Sequence, residues 1–355
     1  MKQAHVNISA CRAGAKAIMG FLGVKWTPLR LPLRRRLETL AAQAFAICFW
    51  CCGIDHFFIF CILLFTRFYP LPLAYAAWVY WDRKTCARGG RWIKRVRSWG
   101  AWNYLRDYFP VQLVKTCDLP ADQNYLFGYH PHALMAVGAT CNFVTDATNF
   151  KELFPGIRTH VVSLEFQFYL PFRRDLFLAC GVCSSSRESL DYILSSKTPG
   201  KAAVIVVGGA SEMALARPRR YTLFLTRRKG FIRVAMKHGT PLVPVFTFGE
   251  IDILDQAEVS SDSWLGRILA LIRRLFGYTL PLFWGRGFFQ YNWGLVPHRK
   301  RIVTVVGKPL EVPKVECPRK EEVDLVHRQY TEALIQLYND HKDKYAASGS
   351  ELVIL

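Results

Sequence analysis

Residues 125–133 read Tyr-Leu-Phe-Gly-Tyr-His-Pro-His-Ala, a bulky apolar run that ends in two histidines bracketing a proline. Such a run predicts a strand buried on both faces, as in a parallel sheet. A helical pattern follows at 134–144. Open α/β sheets bind ligands beyond the carboxyl ends of their strands, so this loop is where a site is expected. Pro131 sets its own φ and biases His130 toward extended backbone, which would hold that ring in place. A neutral imidazole suits proton removal from an alcohol near neutral pH, and so serves attack by a hydroxyl on an activated acyl group. His-x-His is also a metal pattern, but no further ligands at metal spacing accompany it, and either histidine could be structural.

Working outward, similar runs at 158–164, 202–207, 242–248 and 302–306 alternate with helical patterns at 172–179, 187–195 and 230–238. The alternation predicts an α/β domain: a mainly parallel sheet flanked by helices. Toward the C-terminus Val323, Val326, Tyr330, Leu334, Leu337 and Tyr338 share one helical face and would close that domain.

Two of these strands also end in groups that can do chemistry. Val204-Ile-Val-Val-Gly208-Gly209-Ala-Ser-Glu212 leads from a strand through a diglycine to a carboxylate. Glycines let backbone amides approach a ligand and face a developing oxyanion, although a plain strand-to-helix turn reads the same way. Ser211 lacks the Gly-x-Ser-x-Gly frame of a hydrolase nucleophile. Phe246-Thr-Phe-Gly-Glu250 places a second carboxylate at a strand end, able to orient an imidazole or to form a salt bridge. Between Glu212 and Glu250 lie eight Lys or Arg and no acid. Within that stretch Arg227, Arg228 and Lys229 directly precede a helical pattern, an arrangement suited to the phosphates of a cofactor such as coenzyme A.

The bulk numbers agree with a membrane or phosphate role. The chain has 355 residues, 51% apolar and 14% aromatic, and a formal charge of +20. No zinc-finger spacing, stacking platform or heptad supports a nucleic-acid module. Eleven scattered cysteines fit free thiols better than a disulfide framework, and Cys180-Gly-Val-Cys183 stands alone as a redox spacing. Between Thr39 and Trp81 only Asp55 and Arg67 are charged. Taken as one element, 41–65 is long enough to span a bilayer, and Pro70 and Pro72 open a second, shorter leg. Eight basic residues in 1–36 and seven in 83–97, without acids, flank it. The expectation is a basic cytosolic tail at 1–38 and a transmembrane or re-entrant hairpin at 39–82, entering and leaving on the cytosolic side. The Asn7 sequon would then be silent, and a transit peptide is the weaker alternative. A basic amphipathic segment at 264–284 suits either a membrane interface or an ordinary packed surface helix.

Taken together these motifs resemble the diacylglycerol acyltransferase type 2 family, which includes monoacylglycerol and wax-alcohol acyltransferases. Tyr129-His-Pro-His-Ala133 is similar to its His-Pro-His-Gly signature. Phe154-Pro-Gly-Ile157, Val207-Gly-Gly-Ala210, Arg228-Lys-Gly-Phe231, Phe248-Gly-Glu250, Gly285-Arg-Gly287 and Trp293-Gly-Leu-Val-Pro297 follow in family order. The resemblance implies a glycerolipid-acyltransferase-like fold with the acyltransferase domain at 83–355, facing the cytosol from the endoplasmic reticulum membrane and contacting lipid droplets. It also implies acyl-CoA as co-substrate, a lipid alcohol as acceptor, membrane lipids as surroundings, and no metal or permanently bound cofactor. His130 becomes the base, His132 its support and Glu250 a candidate partner. Arg227, Arg228, Lys229, Gly208 and Gly209 become the acyl-CoA contacts. Mono- or diacylglycerol is the expected acceptor. A wax alcohol or retinol, or a non-catalytic lipid-binding scaffold, is the alternative, and homo-oligomerisation stays open. Two departures stand out: Ala133 replaces the family's glycine, and Glu165-Phe-Gln-Phe168 replaces small residues. The His-x4-Asp pairing of related acyltransferases is missing as well, since Met135 and Val137 fall where Asp would be, so a carboxylate partner must come from elsewhere in the fold.

Overall fold

The computed structural model describes residues 23–28, 30–50, 54–257, 259, 262–276 and 282–355. The Asn7 sequon, residues 1–22 of the basic tail, the 51–53 step of the hairpin with Cys51 and Cys52, and 277–281 of the amphipathic segment lie outside them. The strands are β1 (Gln112–Lys115), β2 (Tyr125–His130), β3 (Arg158–Ser163), β4 (Cys183–Ser184), β5 (Lys201–Val206) and β6 (Arg220–Leu223). They continue with β7 (Leu242–Phe248), β8 (Asp255–Gln256), β9 (Phe283–Trp284), β10 (Val303–Val306) and β11 (Glu351–Ile354). The main helices are α1 (Leu33–Trp50), α2 (Ile54–Leu64), α3 (Pro70–Trp81), α4 (Ala101–Tyr108) and α5 (Arg173–Ala179). After them come α6 (Arg187–Leu194), α7 (Gly209–Leu215), α8 (Gly230–His238), α9 (Trp264–Phe276) and α10 (Lys320–Tyr345).

Seven strands form one sheet in the order β1-β10-β7-β2-β5-β3-β4. From β7 to β4 every pairing is parallel; β10 joins β7 antiparallel, and β1 lies parallel to β10. The expected mainly parallel α/β sheet is therefore present. β2 sits at its centre between β5 and β7, and all of its residues are buried, as are those of β7.

Successive side chains of a strand point to opposite faces, and β2 uses both. Tyr125, Phe127 and Tyr129 pack with Phe143 and Phe150 on one face. Leu126 packs on the other with Tyr330, Leu334, Leu337 and Tyr338 of α10. That helix is the closing amphipathic element the sequence predicts, and its apolar stripe covers the sheet over β7.

In the N-terminal region the first leg of the expected hairpin is divided in two. Residues 41–65 are not one element: α1 and α2 are separate helices bent by 62° from one another. Among the described residues no single helix is long and apolar enough to cross a membrane, and only this bent pair qualifies jointly. The first leg also belongs to the globular core, because Ala42 and Ala46 are fully buried in one cluster with Leu105, Tyr108 and Phe109 at α4. Small residues let α1 approach α4 closely, a packing signal that hydropathy does not carry. By contrast α2 and α3 expose Phe57, Phe58, Ile62, Leu71 and Trp81. In α9, Trp264, Ile268, Leu271 and Leu275 likewise face outward rather than onto the sheet.

The helix expected at 134–144 is shorter and partly π-helical, Val137–Ala139 followed by Thr140–Val144. Ala133 and Ala136 both adopt positive φ, 48° and 47°, which prolongs the histidine loop before any helix begins.

Candidate active site

His130 is the last residue of β2, with no exposed surface. Its Nε2 lies 3.1 Å from Tyr330 Oη of α10, and the same hydroxyl donates to Gly128 O at 3.2 Å. A phenol has one proton. Given to Gly128 O, it leaves the Tyr330 oxygen to accept from Nε2–H, so the lone pair sits on Nδ1. That nitrogen is buried without a hydrogen-bond partner. Burial holds the imidazole neutral by pushing its pKa down to about 3. The site thus presents a neutral ring, oriented from one side and with its basic nitrogen unengaged.

The backbone of the histidine loop is held by a carboxylate. Glu212 Oε1 accepts from the His132 amide, and Oε2 accepts from Phe224 N at 2.9 Å. Glu212 is 2% exposed, and burial raises its carboxyl to about 7, against the two amides and Arg228, which favour its ionised form. Gly208 makes this approach possible, since a Cβ there would lie 2.1 Å from Glu212 Oε2. The diglycine therefore admits the carboxylate that fixes the histidine loop, a constraint separate from any contact with substrate. His132 is partly buried, its Nδ1 3.0 Å from Ala133 O, and burial lowers its pKa.

Glu250 is drawn elsewhere. Its Oε2 accepts from Tyr129 Oη at 2.5 Å and its Oε1 from Gly138 N at 3.0 Å. Tyr129 and His130 are neighbours in one strand and face opposite sides, so a carboxylate bound to Tyr129 stands behind the sheet from the His130 ring. As the candidate imidazole partner, Glu250 touches neither histidine in this structure. It anchors a buried polar layer in which Asn142, Thr304 and Thr247 are linked at 2.9 and 3.0 Å. Burial lifts its carboxyl to about 7 and holds the Tyr129 phenol well above 10.

Of the basic cluster, Arg228 reaches the diglycine, with Nη2 3.4 Å from Gly208 O. It and Arg227 are exposed beside the site. Lys229 is engaged by Asp324 of α10 at 2.7 Å. Gly209 adopts positive φ and opens α7. The structure thus brings His130, His132, Gly208, Gly209 and Arg228 together and sets Glu250 behind them. Two contributors lie outside the residues expected to act as base, support or acyl-CoA contact. Glu212 was visible as a carboxylate after the diglycine. Tyr330 was hidden in an apolar helical stripe, and its only local sign is Gly128, the one small residue in a bulky strand.

Residues 61–355 match the family described as diacylglycerol acyltransferase. The chain is 41% identical over 336 residues to 2-acylglycerol O-acyltransferase 1 of Bos taurus, covering 93% of this chain and 99% of that protein. It is 45% identical over 293 residues to acyl-CoA wax alcohol acyltransferase 1 of Homo sapiens, covering 82% and 89%. It is 38% identical over 338 residues to diacylglycerol O-acyltransferase 2 of Homo sapiens, covering 95% and 87%.

Proposed function

We infer the reaction from one premise: the chain belongs to the diacylglycerol acyltransferase family. It is an acyl-CoA-dependent O-acyltransferase that esterifies a lipid alcohol. An acylglycerol is the acceptor in this reading, since the relatives named for acylglycerols align over 93% and 95% of the chain at 41% and 38% identity. A long-chain alcohol is the second reading, favoured by the 45% identity of the wax-alcohol relative over 82% of the chain.

His130 is the catalytic base in this reading, and the observation that carries it is the enclosed, neutral imidazole with an unengaged Nδ1. The acceptor hydroxyl attacks the thioester carbonyl while Nδ1 takes its proton. A C–O bond forms, the tetrahedral intermediate collapses with loss of the C–S bond, and the imidazolium returns the proton to the departing thiolate. The products are the ester and free coenzyme A. The thioester is already activated, so no acyl-enzyme is required. Amides of the Gly208–Gly209 turn are assigned to the oxyanion, where preorganised donors contribute most. Arg227 and Arg228 are assigned to the phosphates of the donor. Lys229, held by Asp324, would have to leave an ion pair to join them. Because His130 is wholly covered, substrate reaches it only when the groups above the loop give way.

The exposed apolar faces of α2, α3 and α9 support a membrane-bound enzyme, as apolar surface of that extent is costly in water. An endoplasmic reticulum location with the sheet domain in the cytosol belongs to this proposal.

The deciding experiment supplies labelled acyl-CoA with monoacylglycerol, diacylglycerol and fatty alcohol to membranes carrying the wild type or His130→Ala at matched expression. Labelled acylglycerol ester from the wild type alone supports the reading. Wax ester as the only product would replace the acceptor, and equal ester from both preparations would remove His130 from the chemistry.

A further inference from the structure

A cavity of about 890 Å³ lies where the segment before α1, the loop carrying Arg286 and the C-terminal end of α10 meet. Neither histidine of the HPH loop, nor Glu212, lines it. Along α10 the step from Tyr330, beside His130, to Tyr345, on the cavity wall, is about 22 Å at 1.5 Å per residue. Tyr338 lies between them, packed on Phe246 and Phe248. The cavity is therefore separate from the catalytic loop.

Its lining is cationic: seven Lys or Arg side chains line it with two carboxylates, Asp252 and Asp255, and one of the seven, Arg299, is already paired with Glu38 at 2.6 Å. Asp255 is engaged by His298 at 2.9 Å, and Asp252 accepts from the Arg219 amide at 2.9 Å. Arg286 is the unusual member. It is 9% exposed, yet its hydrogen-bond partners among the described residues include no carboxylate. Its Nε donates to Tyr108 Oη at 3.0 Å and its Nη2 to Thr39 Oγ1 at 3.2 Å, both neutral oxygens. A buried guanidinium ordinarily has an anion, and the planar fork matches phosphate oxygens. Phe289 and Tyr291 stand exposed at the rim, with Trp26 bridged to Gln290 beside them. Exposed aromatics around a cationic well are the surroundings a lipid headgroup meets at an interface.

We propose that this cavity is a second ligand site that binds a phosphate monoester, as carried by an anionic glycerophospholipid, with Arg286 at its base and Arg35 and Lys300 at its mouth. It stands independently of the acyl-transfer reading, because it is a binding site remote from His130. An interfacial enzyme whose substrates are neutral lipids would gain a contact that senses the charge of the surface it works on.

The test uses the purified full-length chain in detergent and monomeric dihexanoyl phosphatidic acid as the probe, with dihexanoyl phosphatidylcholine, glycerol 3-phosphate, inorganic phosphate and adenosine 3′,5′-bisphosphate as competitors. The expected result is saturable binding of phosphatidic acid, little displacement by phosphatidylcholine, and unchanged binding in His130→Ala. Arg35→Gln with Lys300→Gln, both at exposed positions, should weaken binding roughly 30-fold, from about 1 kcal/mol per basic residue. Arg286→Gln should weaken it further, with a melting curve reporting whether the fold survives. Displacement by glycerol 3-phosphate or inorganic phosphate would keep the phosphate site and make its ligand a free one. Displacement by the adenosine bisphosphate alone would overturn the proposal by assigning the cavity to the acyl donor. Unaltered binding in the double variant would overturn it too.

Discussion

Gly128 and Tyr330 are fitted to one another across 202 residues of chain: a Cβ on Gly128 would lie 2.0 Å from the Tyr330 hydroxyl, which donates to Gly128 O at 3.2 Å. The gap in β2 left by that glycine is what seats the phenol beside His130 Nε2. Tyr330 is therefore a positioning residue, acting on the reaction through the imidazole.

Gly128→Ala should push the phenol away from His130. Overpacking of this kind costs roughly 1–3 kcal/mol. The expected outcome is a lower Tm together with a fall in kcat exceeding any rise in KM.

Tyr330→Phe keeps the ring in the core and removes the hydrogen bond, at a cost of about 1 kcal/mol in stability. Without the hydroxyl, nothing holds the proton on Nε2. kcat should fall, and imidazole ¹⁵N shifts of labelled protein should show the Nε2–H tautomer of His130 losing population. A wild-type tautomer ratio in the variant would end the positioning assignment.

Glu212 accepts two amides through two different oxygens, an arrangement that Gln cannot copy because its NH₂ would meet an N–H. Glu212→Gln and Gly208→Ala should act alike, both loosening the histidine loop. Activity is expected to drop at least tenfold in each, and the double variant should lose much less than the product of the two, as for residues of one unit.

Glu250 supplies a pH signature. Its carboxyl rises from 4.5 to about 7 on burial, so the folded state prefers the protonated form. The stability this contributes is complete below pH 4.5 and is lost as pH climbs to about 7. Glu250→Gln does not titrate. Relative to wild type it should gain on the order of 3 kcal/mol between those limits and then level off. Urea denaturation at pH 5, 6, 7 and 8 measures it, and a difference constant across that range would contradict the burial assigned to Glu250.

Ala133 stands where the resemblance places a glycine, and its φ of 48° is one that glycine adopts without a Cβ penalty. A left-handed conformation costs a Cβ-bearing residue roughly 1–2 kcal/mol, while glycine costs about 0.5–1 kcal/mol in backbone entropy. Ala133→Gly should therefore be nearly neutral in Tm and retain activity, whereas Ala133→Val should abolish expression of folded enzyme.

Much of the fold could be read locally. The bulky runs at 242–248 and 125–129 became β7 and β2 almost to the residue, and 230–238 became α8 with the same limits. Periodicity and glycine placement act over a few residues, which is why they are visible in one dimension. Shorter edge elements such as β4 and β6 escaped, having too few residues to show a period. The apolar character of 41–65 was also plain, but not its division, because the burial of Ala42 and Ala46 depends on α4 arriving from 60 residues away.

For the site, the sequence by itself determined the two histidines at a strand end, the diglycine with its carboxylate, and the basic stretch that follows. Only the tertiary structure decided what each of these acids binds and which group orients the His130 ring. Strand alternation turns Tyr129 and His130 to opposite faces, sending Glu250 behind the sheet, while the packing of α10 on β7 brings Tyr330 to His130. These are relations between faces of elements far apart in the chain. No local pattern encodes them, because they arise only when the burial of apolar surface selects one arrangement of the whole sheet.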